Sequence, residues 1–226
     1  MKRAFDLVVF DFDGTLVDAR KNLEKNINYT LKFNDYPTVK GDDIYPLIGI
    51  PLINIFKKIL PETDTQLASK LVDDYRKRYK KTCHIGVKIL AGVRKTLKFL
   101  KKNGFKTAIA TAKGEEQTLL LLKRLRLRKY FDMIVGYRSY TNSPRPKPHP
   151  DMINYIMKKF EVENKRTVMV GDTLLDIKAG KNAGVYTVAV KTGVKLGIAK
   201  ISDLKKAQPE KLIDSVKELP RLLSDG

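Results

Sequence analysis

The chain has little of several things that often decide a function class. Cysteine occurs once, at Cys83, so no internal disulfide can form and a reducing, cytoplasmic setting is expected. No apolar run approaches the ~18–20 residues that a bilayer demands, which excludes a membrane-spanning helix. The N-terminus leads straight into a strand-like run with no signal-peptide pattern, and no internal repeat or low-complexity tract follows. Acid is also scarce: 25 Asp and Glu stand against 45 Lys and Arg, giving a net charge of +20. Such an excess suits either a polyanion-binding surface or solvated lysine faces whose field draws in small anions. The basic runs Arg76-Lys77-Arg78-Tyr79-Lys80-Lys81 and Lys123-Arg124-Leu125-Arg126-Leu127-Arg128-Lys129 have the look of helix faces. Solvated faces are therefore the preferred reading, with nucleic acid the weaker one.

What is present is a foldable soluble chain. Its 226 residues, 42% hydrophobic and 31% charged, leave room for one large domain or for a domain with a small insert. Phe5 to Phe10 is a nearly continuous apolar run, the pattern of a strand buried on both faces of a parallel sheet. From about Asp18 to Lys81 the apolar residues recur at helical spacing, as in Leu23, Ile27 and Leu31, or Leu67, Leu71 and Tyr75, and Pro37, Pro46, Pro51 and Pro61 punctuate them. This stretch reads as a helical insert. Beyond it, helices expected over 93–102, 115–125, 150–160 and 176–183 alternate with strands over 106–110, 133–136, 167–170 and 186–190, and a last helix is expected over 209–223. Alternation of this kind implies βαβ units in a Rossmann-like α/β fold.

In open parallel sheets ligands bind beyond the carboxyl ends of the strands. Four such places carry unusual chemistry: Asp11-Phe12-Asp13, Thr111-Ala112-Lys113, Lys147 in a proline-stiffened loop, and Gly171-Asp172 with Asp176 four residues on. Singly, Thr111, Asp172 and Asp176 are ordinary helix caps and Lys147 a surface lysine. Asp11 and Asp13 resist that reading, because two carboxylates beside an apolar strand repel unless a cation or a proton offsets them. Together the residues offer hard oxygen donors suited to Mg²⁺, one fixed positive charge, and a hydroxyl able to hold a phosphate oxygen.

Asp11-Phe12-Asp13-Gly14-Thr15-Leu16, Thr111, Lys147-Pro148-His149-Pro150 and Gly171-Asp172-Thr173-Leu174-Leu175-Asp176, in this order, resemble the four motifs of the haloacid dehalogenase superfamily of phosphohydrolases. The resemblance implies a core of residues 1–16 and 86–226, with a small all-helical cap at 17–85. It implies that Asp11 is the nucleophile, Asp13 the acid and base, and Thr111 and Lys147 the stabilisers of the transferring phosphoryl group. Asp11, Asp13 through its backbone carbonyl, and Asp172 would hold Mg²⁺, assisted by Asp176. Gly14, Thr15, Ala112, Lys113, Gly49 and Pro51 would contact a small phosphorylated metabolite, in a monomer or a homodimer.

Asp13 separates this chain from the dehalogenases, whose halide leaves without a proton. Ile48-Gly49-Ile50-Pro51-Leu52 resembles the cap loop of phosphoglycolate phosphatases, whereas Thr111-Ala112-Lys113 departs from the Thr-Asn-Lys that many of them carry. A sugar-phosphate mutase and a nucleotide- or nucleic-acid-directed phosphatase are the alternatives. The mutase is disfavoured because 48–53 contains no arginine to grip a second phosphate. Phosphonate-cleaving relatives need a cap lysine, for which Lys57 and Lys58 are candidates by position.

Overall fold

The structure, a computed structural model, describes residues 4–138 and 143–224. Positions 1–3, 139–142 and 225–226 of the expected core lie outside the described residues. Strand β1 (Leu7–Phe10) is completely buried, as its unbroken apolar run requires. A two-residue strand β2 (Val17–Asp18) follows, then helices α1 (Arg20–Phe33), α2 (Gly41–Ile44), α3 (Leu52–Ile59) and α4 (Thr65–Thr82). Strand β3 (Lys88–Ile89) pairs antiparallel with β2, so a short ribbon joins the helical insert to the rest of the chain. The remainder alternates: α5 (Val93–Lys102), β4 (Lys106–Gly114), α6 (Glu115–Arg124), β5 (Met133–Tyr137), α7 (Asp151–Phe160), β6 (Thr167–Gly171), α8 (Leu174–Asn182), β7 (Tyr186–Val190), α9 (Thr192–Lys195), α10 (Ile201–Lys206), β8 (Lys211–Ile213) and α11 (Leu219–Ser224).

Six strands form one parallel sheet in the order β5-β4-β1-β6-β7-β8. Successive β1 side chains point to opposite faces. Val8 and Phe10 join the cluster that includes Leu97 and Leu100 of α5 and Leu121 and Leu122 of α6. Leu7 and Val9 join the cluster of Met152, Ile153 and Ile156 on α7 and Ala179 on α8. The insert has its own core, built from Ile27, Leu31, Ile44, Ile55, Phe56, Leu71, Tyr75 and Tyr79. Among the described residues no helix is long and apolar enough to cross a membrane.

The expected helix over 209–223 is a correction. Lys211–Ile213 instead adds the edge strand β8 to β7, a 3-10 turn spans Val216–Glu218, and only Leu219–Ser224 is α-helical. The physical reason is local: Ser215 and Glu218 form a capping box that starts the helical turn after the strand, while Leu212 packs on the sheet. The other expected strands form within a residue or so, except that β4 runs on to Gly114 with a register shift between Thr111 and Gly114. Asn103 and Gly104 end α5 as expected, with Gly104 at φ 70°.

Candidate active site

β1 lies in mid-sheet between β4 and β6, so the chain leaves it on one side and returns on the other. A crevice opens at such a reversal, beyond the strand ends. Asp11 stands there, its backbone N–H donating to the Val170 carbonyl at 2.8 Å. Its Oδ1 accepts a hydrogen bond from Lys147 Nζ at 2.5 Å. The same ammonium donates to Asp176 Oδ1, and the other Asp176 oxygen accepts from the Thr173 backbone N–H (2.9 Å) and hydroxyl (2.7 Å) in a capping box at the start of α8. Thr15 Oγ1 donates to Asp172 Oδ1 at 2.6 Å. Among the described residues Asp172 Oδ2 and Asp13 Oδ1 are buried with no hydrogen-bond partner, while Asp13 Oδ2 meets Lys113 Nζ at 3.2 Å.

The electrostatics follow from burial. Asp11, Asp172 and Asp176 share one ammonium, which leaves uncompensated negative charge. Burial pushes the Asp11 carboxyl up to about 7, with Asp176 and Asp13 adding to the push and Lys147 opposing it. Asp172 is driven well up by burial and by the charges of Asp11 and Asp176. For the Lys147 ammonium burial works downward, but Asp11 and Asp176 more than offset it, so its pKa rises. A cation is what these groups lack. One oxygen each of Asp11, Asp172 and Asp176 lie within 4.8 Å of one another, and one Asp172 oxygen is orphaned. Hard, buried carboxylates with a spare oxygen fit a small divalent ion such as Mg²⁺.

Glycines leave the space these carboxylates need. A Cβ on Gly14, at φ 93°, would stand 2.2 Å from Asp172 Oδ2, and one on Gly193 would stand 2.1 Å from the same atom. The Gly193 backbone is of a kind any residue adopts, so Gly193→Ala isolates the clash. We expect that variant to fold with a cost of about 1–3 kcal/mol. Displacing Asp172 should weaken Mg²⁺ binding by roughly tenfold, a loss of about 1.4 kcal/mol. Mg²⁺-dependent thermal shifts measure this; an unchanged affinity would remove Asp172 from the ligand set.

Above the carboxylates lies a cavity of about 220 Å³. Asp11, Asp13, Thr111, Ala112 and Lys113 form its floor, and Ile48, Gly49, Ile50, Leu52 and Ile53 its apolar roof. Most expected residues thus converge. Gly49, at φ 111°, lines the cavity, whereas Pro51 is buried at the N-cap of α3. Gly14 and Thr15 sit against Asp172 rather than on the cavity wall, and Lys147 and Asp176 pack beneath Asp11. Lys57 lies on the exposed side of α3, bonded to the Thr65 hydroxyl at 2.8 Å, and neither it nor Lys58 lines the cavity.

Sequence reasoning missed the contribution of α4. Ser69, Val72, Asp73 and Arg76, spaced as one helical stripe, line the cavity together with Tyr75. An arginine absent from 48–53 is therefore supplied from elsewhere: Arg76 lies beside Asp73, 3.3 Å from it. The i, i+3, i+4 spacing was visible in sequence, but nothing there says which face of α4 looks toward the strand ends.

A parallel α/β core carrying this buried acidic cluster, roofed by helices, defines the class: a hydrolase of phosphoric monoesters. The chain belongs to the haloacid dehalogenase-like hydrolase family, whose sequence model matches residues 8–190. It is 32% identical over 211 residues to a phosphoglycolate phosphatase of Aquifex aeolicus, covering 92% of this chain and 94% of the relative. It is 35% identical over 184 residues to pyrophosphatase PpaX of Halalkalibacterium halodurans, covering 81% and 82%. In three dimensions it is similar to the crystal structure of a predicted phosphatase from Clostridium acetobutylicum, with a TM-score of 0.83, 28% identity, and 98% and 99% of the two chains covered.

Proposed function

We propose that the chain is a magnesium-dependent phosphatase of small phosphate monoesters, phosphoglycolate-like in type, acting through an aspartyl-phosphate on Asp11. The observation that carries this reading is that Asp11 and Asp13 both open into one cavity, Asp11 backed by Lys147 and Asp13 with one oxygen unpaired. The volume, about 220 Å³, falls below the ~300–1,000 Å³ of drug-sized pockets and suits a small metabolite. A cap at 17–85 over a core of 1–16 and 86–226, and a cytoplasmic location, belong to the same reading.

In the first step an Asp11 carboxylate oxygen bonds to phosphorus as the bond from phosphorus to the leaving oxygen breaks. Asp13 gives its proton to that oxygen. In the second step water attacks phosphorus, Asp13 takes the water's proton, and phosphate leaves with Asp11 restored. Thr111 and Lys147 hold phosphoryl oxygens, and Lys147 also keeps Asp11 oriented. Asp11, Asp172 and the Asp13 carbonyl would hold Mg²⁺, with Asp176 fixing Lys147. The metal supplies charge neutralisation on the phosphoryl group. Asp13→Asn tests the acid. Ethyl phosphate needs a proton on its leaving oxygen and p-nitrophenyl phosphate does not. The variant should therefore lose roughly 10²–10⁴-fold in kcat on ethyl phosphate, and far less on the aryl ester in the first, phosphorylation step read by a rapid burst. Equal losses in that step would refute the assignment.

One observation favours the mutase alternative, namely Arg76 on the cavity wall, where it could meet a second anion. Phosphate balance separates the two. A phosphatase releases one inorganic phosphate per substrate consumed, whereas a mutase returns the group to a sugar and releases little.

A further inference from the structure

Lys113 is held from two sides. Its ammonium lies 3.2 Å from Asp13 Oδ2, and it also lies over the ring of Tyr79, 5.2 Å from the centroid. Tyr79 comes from the other part of the chain, near the C-terminal end of α4. The ring is fixed. It is buried at 1% exposure and stacks on Tyr75 at 5.6 Å and 19°. The end of α4 is tied to α1, where Asn22 donates to the Thr82 and Ile85 carbonyls at 2.7 and 2.9 Å, and the Thr82 hydroxyl donates to Asn26 Oδ1 at 2.8 Å. The Tyr79 hydroxyl is buried without a hydrogen-bond partner among the described residues, so polar bonding does not explain why a tyrosine stands there. What the ring offers Lys113 is its π face. An ammonium within ~6 Å of an aromatic centroid is attracted to it, most strongly where water is excluded.

We propose that Tyr79 is a positioning residue for Asp13, acting through Lys113. With the ring behind it, the ammonium stays on Asp13 Oδ2. That fixes the orientation of the Asp13 carboxyl where it lines the cavity. The link runs from an insert helix to the acid on the core, so the acid is fully ordered only when α4 sits where this structure has it. The inference rests on the acid role of Asp13 proposed above.

The test compares Tyr79→Phe with Tyr79→Leu on ethyl phosphate and p-nitrophenyl phosphate, with Asp13→Asn as the reference. Phenylalanine keeps the π face and drops only an unpartnered hydroxyl, so its ratio of phosphorylation rates on the two esters should match the wild type. Leucine removes the face. It should slow phosphorylation by ethyl phosphate by roughly tenfold or more while the aryl ester changes little, the same pattern as Asp13→Asn but smaller. A merely structural loss would lower both esters together, and that result would overturn the proposal. Should the leucine variant fail to fold, Lys113→Met carries the test with Tyr79 intact: it must reproduce the split between the esters, and an unchanged ratio would overturn the proposal equally. If Asp13→Asn itself shows no split, the acid assignment fails. If it does and Tyr79→Leu and Lys113→Met do not, only the present inference fails.

Discussion

Asp11→Asn should abolish phosphate release and, in the absence of metal, make the protein more stable. The first effect is the loss of the nucleophile. An amide oxygen cannot form the acyl-phosphate, and a fall of roughly 10⁴-fold or more in kcat corresponds to about 5.4 kcal/mol of lost transition-state stabilisation. The second follows from the site's own electrostatics. Asp11 is pushed up to about 7 from its ordinary 3.8, even with Lys147 touching it. Its folded environment therefore disfavours the charge. Ionised Asp11 at pH 8 costs on the order of a few kcal/mol relative to the unfolded chain. Asparagine keeps the shape, removes one of three neighbouring carboxylate charges, and leaves Lys147 with Asp176. A melting temperature in EDTA at pH 8 that rises above wild type would agree. Wild-type turnover would end the covalent mechanism, and a markedly lowered melting temperature would end the electrostatic account.

The parts of the site that were legible in the sequence are those at the strand ends. Asp11 and Asp13 follow β1, Thr111 lies toward the end of β4, Lys147 is in the loop between β5 and α7, and Asp172 and Asp176 stand where β6 gives way to α8, so one-dimensional order already places them at one sheet edge. A parallel sheet aligns its strand ends whatever the length of the connections between them. The α4 stripe had no such guide. Ser69, Asp73 and Arg76 line the cavity from a helix whose C-terminal end is tied to Asn22 and Asn26 and whose Tyr75 and Tyr79 pack into the insert core. Those are long-range contacts between polar side chains and carbonyls, without a sequence period. Gly193 was invisible for a related reason. It lies in the short helix α9 after β7, and its role is to yield space to Asp172, which is 21 residues earlier in the chain. The tail failed differently: Lys211–Ile213 is too short to show a period of its own, so the flanking helical spacing absorbed it.

Mg²⁺ binding should release protons, and its affinity should weaken as pH falls. Without metal, burial pushes the Asp11 carboxyl up to about 7 and drives Asp172 well above its usual range, so on the acid side of neutrality the folded site should hold protons that its unfolded chain would have lost. A divalent ion requires the ionised carboxylates and must expel those protons. For one proton, the apparent dissociation constant rises by about tenfold for each pH unit below 7. The stability consequence has a definite sign. A carboxyl whose folded pKa is raised stabilises the metal-free protein below about pH 4, and that contribution is lost as pH climbs through about 7. The melting temperature in EDTA should thus decline between these limits on account of these groups. Bound Mg²⁺ should reverse the decline: at 100 times its dissociation constant it adds about 2.7 kcal/mol, or roughly 5–10 °C for a chain of this size. The rescue is largest near pH 8 and nearly absent near pH 5 at the same Mg²⁺ concentration. Calorimetric titration at pH 6 in two buffers of different ionisation enthalpy reads the released protons directly. Enthalpies independent of buffer, together with an affinity flat from pH 6 to pH 8, would mean that the Asp11 and Asp172 carboxylates are not the metal's ligands. Hydrolysis should stop in EDTA and return with Mg²⁺ along the same pH curve, because the proton that leaves Asp11 frees the oxygen that attacks phosphorus.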